Sequence, residues 1–196
     1  MINPTYEEPT YKIILLGNSG VGKTCIAKRW TQNLYTDGIE PTLGSANYFK
    51  EVSHNDQIIK ISLWDTAGQE QFRSIAPIYV RGSHCAIIAV SSIDFESMHS
   101  VSQWKELLDK DQENPIPAIL AITKIDLEPT YDLEQSIEQI KDKFKYIFYV
   151  SAMNGSGIED LFVQAAILAR EFGLKEKHEP IAAENTTPVK DSSYCC

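Results

Sequence analysis

Apolar residues fall along this chain in short unbroken runs, separated by stretches where they recur every three or four positions. Residues 11–16 (YKIILL), 84–91 (HCAIIAVS), 118–122 and 146–150 are such runs, and each predicts a strand buried on both faces. In residues 57–65, Ile59, Ile61 and Leu63 alternate with polar neighbours, which predicts a strand with one core face. A strand over 47–53 pairs with it across His54-Asn55-Asp56, a hairpin with a slightly long loop. Residues 23–32 predict a helix. Val101, Trp104 and Leu108 mark a second over 97–110, and Leu133, Ile137, Ile140 and Phe144 mark a third. Ile158, Leu161, Phe162, Ala165 and Phe172 mark a last helix that ends near Gly173. Residues 34–45 are turn-rich and show no period.

Two-faced apolar strands alternating with helices imply an α/β fold, with a six-stranded, mostly parallel sheet and about five helices on both faces. The hairpin supplies one antiparallel strand. Beyond Gly173 the chain becomes charged, proline-containing and aperiodic. The expected divisions are an N-terminal extension over 1–10, one folded domain over 11–174 and a flexible tail over 175–196. A length of 196 residues suits one such domain, and 43% hydrophobic residues exclude wholesale disorder.

Charge narrows the partners. Lys and Arg number 18 against 27 Asp and Glu, a net −9, so neither duplex nucleic acid nor a purely electrostatic membrane hold is expected. No apolar run approaches the length of a membrane span, and the polar start with Glu7 and Glu8 does not read as a signal peptide, so the cytosol is expected. Cys25, Cys85 and the final pair Cys195-Cys196 do not form a disulfide framework. His54, His84, His99 and His178 show no ligand or base spacing.

Gly17-Asn18-Ser19-Gly20-Val21-Gly22-Lys23-Thr24 fits G-x-x-x-x-G-K-[ST] between a predicted strand and a predicted helix. Glycines let consecutive N–H groups turn inward toward phosphate oxygens, and the helix start adds its positive dipole end. The backbone from Asn18, Ser19, Gly20, Val21 and Gly22 through to Cys25 is therefore a candidate phosphate cradle. Lys23 would reach the β- and γ-phosphates and the Thr24 hydroxyl would face Mg²⁺. This motif does not choose between ATP and GTP.

Thr123-Lys124-Ile125-Asp126 stands at the carboxyl end of a predicted parallel strand, where such sheets bind ligands. The Asp126 carboxylate can accept from the N1–H and 2-amino group of guanine, a donor pair that adenine lacks. The Lys124 stem can lie over the ring, and in Ser151-Ala152-Met153, after the next strand, the Ala152 N–H can meet the guanine O6. Taken alone, T-K-x-D also fits an ordinary strand-to-loop turn. In Trp64-Asp65-Thr66-Ala67-Gly68-Gln69-Glu70, Asp65 can hold a water of the Mg²⁺ shell. Gly68 can present its N–H to the γ-phosphate, and Gln69 can orient the attacking water as the catalytic residue. Thr42 is the candidate second metal ligand, and γ-phosphate plus metal would hold both loops until hydrolysis releases them.

Together these segments resemble the Ras superfamily of small GTPases over about residues 11–172: GNSGVGKT, Pro41-Thr42, WDTAGQE, TKID and SAM stand in the family's order. Trp64 before DTAGQE, Leu43-Gly44 after Thr42, Tyr79-Val80-Arg81-Gly82 and the terminal Cys195-Cys196 resemble its Rab branch. The resemblance implies the P-loop G-domain fold and a GTP/GDP switch with Mg²⁺ that hydrolyses GTP slowly. It places an aromatic, Tyr35, beside the base. It further implies an exchange factor, a GTPase-activating protein, effectors, a prenylation escort and a GDP-dissociation inhibitor, with a monomer expected. Cys195 and Cys196 would be prenylated, giving a cytosolic and peripherally membrane-bound protein that serves vesicle trafficking on the cytoplasmic face of an endomembrane. Two lipid chains suit a tail without a basic patch, because one chain alone anchors only marginally.

The chain departs from the Rab pattern in places. Thr123 stands where most Rabs have Asn, and its shorter side chain is expected to tie the base loop to the phosphate loop less well. Ser45-Ala46-Asn47 replaces V-D-F on the segment that faces effectors, and Gln71 replaces a common Arg. Two other readings stand beside the switch. A P-loop kinase or ATPase would need lid arginines or an acceptor site, and a GTP-bound scaffold would barely hydrolyse.

Overall fold

In the computed structural model, which describes residues 8–38, 40, 42, 44–68, 75–110 and 114–178, strand β1 (Thr10–Leu16) lies inside the sheet. Its apolar residues on both faces explain the position: Tyr11, Ile13 and Leu15 enter one core, and Ile14 and Leu16 enter the other. β4 (Cys85–Ser91) and β5 (Ala118–Thr123) divide in the same way, with Ile87 and Ile119 on one side and Ile88 and Leu120 on the other. Each such fully buried side chain contributes about 1.5–3 kcal/mol, which a strand with an uncovered face would forfeit. The hairpin strands β2 (Ser45–His54) and β3 (Gln57–Thr66), with β6 (Tyr146–Tyr149), complete the order β2-β3-β1-β4-β5-β6. Only β2 against β3 is antiparallel among the neighbouring pairs.

Helices α1 (Lys23–Gln32) and α6 (Ile158–His178) cover the first core. α2 (Ala76–Val80), α3 (Phe95–His99), α4 (Val101–Asp109) and α5 (Leu133–Glu138) cover the second. Ser100 alone separates α3 from α4, so the described residues form five helical bodies, as the sequence implies. Because the strands around β1 are parallel, their carboxyl ends share one sheet edge, and the loops after β1, β3, β5 and β6 gather there.

Several boundaries differ from the sequence reading for identifiable reasons. The hairpin turn is tight: Asn55 and Asp56 both adopt positive φ, 49° and 59°, which lets both strands run up to them. The third predicted helix stops at Glu138, although Ile137 and Phe144 are buried as its spacing requires. Its continuation tightens into i→i+3 bonds (Lys143 N–H to Ile140 O, Phe144 N–H to Lys141 O), so the spacing located the buried face but not the hydrogen-bond ladder. The last helix runs five residues past Gly173, to His178, and takes up the first residues assigned to the tail. Gly173 is a packing glycine: a Cβ there would lie 2.8 Å from both Tyr11 Cε1 and His84 Cδ2.

Candidate functional site

The strand-to-helix turn after β1 depends on glycine. Gly17 (φ 137°) passes so close beneath β4 that a Cβ would sit 2.2 Å from the Ala89 carbonyl oxygen, and Gly22 (φ 98°) caps α1 in the left-handed region. The loop thereby curls back on itself. Lys23, only 5% exposed, donates from Nζ to the carbonyls of Gly17 and Asn18, both at 2.8 Å. Burial lowers its pKa to about 8, partly offset by the nearby Asp65 carboxylate. Gly68, from the far side, approaches so closely that a Cβ would lie 2.3 Å from Lys23 Nζ and 2.5 Å from the Asn18 carbonyl. The chain after β3 therefore touches the phosphate loop through a residue that has no side chain.

Three oxygen ligands meet beside Lys23. The Thr24 hydroxyl donates to Asp65 Oδ2 at 2.7 Å and lies 2.8 Å from the Thr42 hydroxyl. With the Thr24 proton committed to Asp65, Thr42 supplies the proton of the second contact. Asp65 is fully buried, and its Oδ1 has no hydrogen-bond partner among the described residues. Burial raises its pKa, against the Thr24 hydrogen bond and the charges of Lys23 and Lys28. An orphaned carboxylate oxygen beside two hydroxyls fits a small hard cation and its water shell. Among the described residues no cluster of three or more His, Cys, Asp or Glu could hold a metal.

A cleft lined by Ser19, Gly20, Lys23, Thr24, Thr42 and Gly68 adjoins a second one lined by Thr123, Asp126, Leu127, Ala152 and Met153. Gly22, Cys25, Tyr35 and Lys124 line both, so the two form one elongated groove. The Tyr35 hydroxyl donates to Asp37 Oδ1 at 2.5 Å. That bond, the largest cause, pushes the phenol's pKa up to about 12. Lys124 adopts positive φ, and Ser92 Oγ donates to its carbonyl at 2.9 Å. Asp126 Oδ1 accepts from the buried Ser151 hydroxyl.

Three residues of the sequence-derived set serve the groove from behind. Asn18 Oδ1 accepts from the Trp104 indole of α4 at 3.2 Å. Val21 is fully buried, and Ser151 acts through Asp126. Gln69, Cys195 and Cys196 lie outside the described residues. Thr123 does tie the two loops: its hydroxyl reaches the Val21 carbonyl at 2.5 Å as well as Val90 O at 2.9 Å. One proton serves one carbonyl at a time, and the shorter bond joins base loop to phosphate loop. The hydroxyl's reach suffices because Thr123, the last residue of β5, is 1% exposed and packed beneath the phosphate loop. Thr123→Val should therefore speed GDP dissociation about fivefold, while Thr123→Asn, with its longer side chain, should slow it. Stopped-flow release of a fluorescent GDP measures both, and a Val variant equal to wild type would remove the tie.

The sequence reading passed over two residues. Trp104 reads as a core position, and its indole N–H bond to Asn18 has no signature in the spacing. Arg29 has no place in the sequence reading, yet it bonds to the carbonyls of Ala152 and Met153 after β6.

The Ras family model matches residues 12–171. GTP-binding protein YPT1 of Saccharomyces cerevisiae is 34% identical over 163 residues, covering 82% of this chain and 79% of the relative. Ras-related protein Rab-30 of Homo sapiens is 34% identical over 158 residues, covering 80% and 78%. Ras-related protein RABD2c of Arabidopsis thaliana is 31% identical over 201 aligned positions, covering 100% and 99%. With the phosphate loop, the hydroxyl–carboxylate cluster and the base groove on one sheet edge, the chain belongs to the Ras family, the small GTPases of the Ras superfamily.

Proposed function

We propose that this chain is a Rab-branch switch that binds GDP and GTP with Mg²⁺, hydrolyses GTP slowly and directs a vesicle-trafficking step from a membrane surface. The observation that carries the reading is the continuous groove. It joins a phosphate cradle ending at Gly68 to a pocket where Asp126 offers a guanine-specific acceptor. The Rab names of two of the relatives support the branch, and the words "GTP-binding" in the third support the nucleotide.

In this reading the backbone of residues 18–25 and Lys23 bind the phosphates, and the Gly68 N–H meets the γ-phosphate. Thr24, Thr42 and, through water, Asp65 would hold Mg²⁺, which supplies charge neutralisation at the β- and γ-phosphates. Gln69 orients the attacking water, and lasting turnover relies on a GTPase-activating protein. Tyr35, Thr123, Lys124, Asp126, Ser151, Ala152 and Met153 form the base end. An exchange factor, effectors, a prenylation escort and a GDP-dissociation inhibitor complete the cycle, with Cys195 and Cys196 carrying the lipid.

The effector face is the chain's own. Asn47 Oδ1 accepts from Ser62 Oγ, and the Trp64 indole N–H donates to the same Ser62 Oγ, both at 3.0 Å. Phe49 on the same strand is 73% exposed. A polar group beside Trp64 favours partners that offer a hydrogen bond there.

One experiment compares the full chain with Gln69→Leu and with Cys195→Ser/Cys196→Ser. Single-turnover phosphate release should slow at least about tenfold in the first, with GTP retained. Cell fractionation should move the second from the membrane to the soluble fraction. An unchanged release rate removes Gln69 from the mechanism, and unchanged membrane recovery removes the lipid anchor.

A further inference from the structure

We propose that Arg29 is a positioning residue for guanine recognition, holding the Ala152–Met153 segment so that the Ala152 N–H is aimed at the base O6. The inference rests on the guanine reading above and names a device within that site.

Arg29 stands in the last turn of α1, the helix that begins in the phosphate loop. Its planar guanidinium donates from Nε to the Ala152 carbonyl at 2.5 Å and from Nη2 to the Met153 carbonyl at 2.6 Å. Nη1 donates to Asn33 Oδ1 at 3.2 Å. Its Cζ also lies 6.0 Å from the centre of the Tyr35 ring. One rigid fork therefore spans the base loop, the cap of α1 and the aromatic that flanks the groove. A fork bonded to two successive carbonyls fixes the planes of both peptides, which a single-point donor cannot do.

The peptide before Ala152 is fixed separately. The Ser151 carbonyl accepts from Gly155 N–H at 2.9 Å, and Ser151 N–H donates to Ser156 O at 3.0 Å. The plane that carries the Ala152 N–H is thus held by its own loop, and Arg29 holds the plane that follows it, so the two together restrict rotation about the Ala152 backbone. Asp126 is anchored through Ser151 Oγ, and the fork of Arg29 makes no bond to either residue. Arg29 thus bears directly on the O6 half of guanine recognition, and on the N1–H/2-amino edge only through the neighbouring Ser151.

That separation makes the role measurable in the full-length protein. Dissociation of a fluorescent GDP and its displacement by 6-thio-GDP, IDP and ADP would be compared in wild type, Arg29→Ala and Arg29→Lys. 6-thio-GDP keeps N1–H and the 2-amino group but has a poor acceptor at position 6, whereas IDP keeps O6 and lacks the 2-amino group. Arg29→Ala should speed GDP dissociation about tenfold. Its discrimination against 6-thio-GDP should shrink, while that against IDP should remain. Arg29→Lys, with a point charge in place of the fork, should follow Arg29→Ala, and its thermal midpoint checks that the variant is folded. Unchanged GDP dissociation in both variants would overturn the inference, as would equal loss of both discriminations, which is the mark of general loosening. A wild type that does not prefer GDP to ADP would overturn the guanine reading itself.

Discussion

Asp126→Asn is expected to lower affinity for GDP by about a thousandfold and to move the preference toward the xanthine nucleotide. The carboxylate enters the groove just beyond β5, with Oδ1 accepting from the Ser151 hydroxyl. In the proposed function its remaining lone pairs accept from N1–H and the 2-amino group. An amide puts a donor where the base also donates, so the variant loses bonds and leaves groups unpaired, a cost of about 1–3 kcal/mol for each. Xanthine carries an oxygen at position 2, and the new amide N–H can meet it. Competition between GDP and XDP for the nucleotide-free protein measures the change. A variant that still holds GDP like wild type would place base recognition elsewhere.

Gly68→Ala is expected to cut single-turnover GTP hydrolysis by about a hundredfold and to weaken GTP more than GDP. The added methyl would meet Lys23 Nζ at 2.3 Å and the Asn18 carbonyl at 2.5 Å. Lys23 cannot swing aside cheaply, because its ammonium bonds to Gly17 O and Asn18 O, and the Asn18 carbonyl is backbone. The segment after β3 must withdraw instead, taking the Gly68 N–H away from the γ-phosphate position. GDP has no γ-phosphate and feels less of this. Equal loss of both nucleotides would show that the methyl damages the cradle as a whole, and unchanged hydrolysis would remove Gly68 from the phosphate contact. A thermal midpoint within a few degrees of wild type would show the fold intact.

Much of the fold was legible because it rests on local patterns. Apolar residues on both faces of β1, β4 and β5 called for covering helices on both sides, and the helices are there. Element ends were less legible where packing overrides a local signal. Gly173 has the composition of a stop, but it is the residue that lets α6 lie against Tyr11 and His84. The spacing of Leu133 through Phe144 marks a buried stripe, and a tightened turn satisfies the stripe without an α-helix.

The site divides in the same way. Lys23, Thr24, Asp65, Gly68 and Asp126 could be named in advance because each lies in a contiguous motif whose backbone path is set by its own glycines or by the strand it follows. Most links between motifs could not, although a tie at position 123 was expected in weaker form. Thr123 meets Val21 across 102 positions, Trp104 meets Asn18 across 86 and Arg29 meets Ala152 across 123. By itself the sequence determined the strand–helix alternation and the glycine-rich turn after β1, and it marked Asp126 as the carboxylate proposed to read the base, since short-range sterics and chemistry dictate them. Only the tertiary structure decided which distant side chains brace those loops, because a hydrogen bond depends on distances of a few tenths of an ångström, and only the packed sheet fixes these.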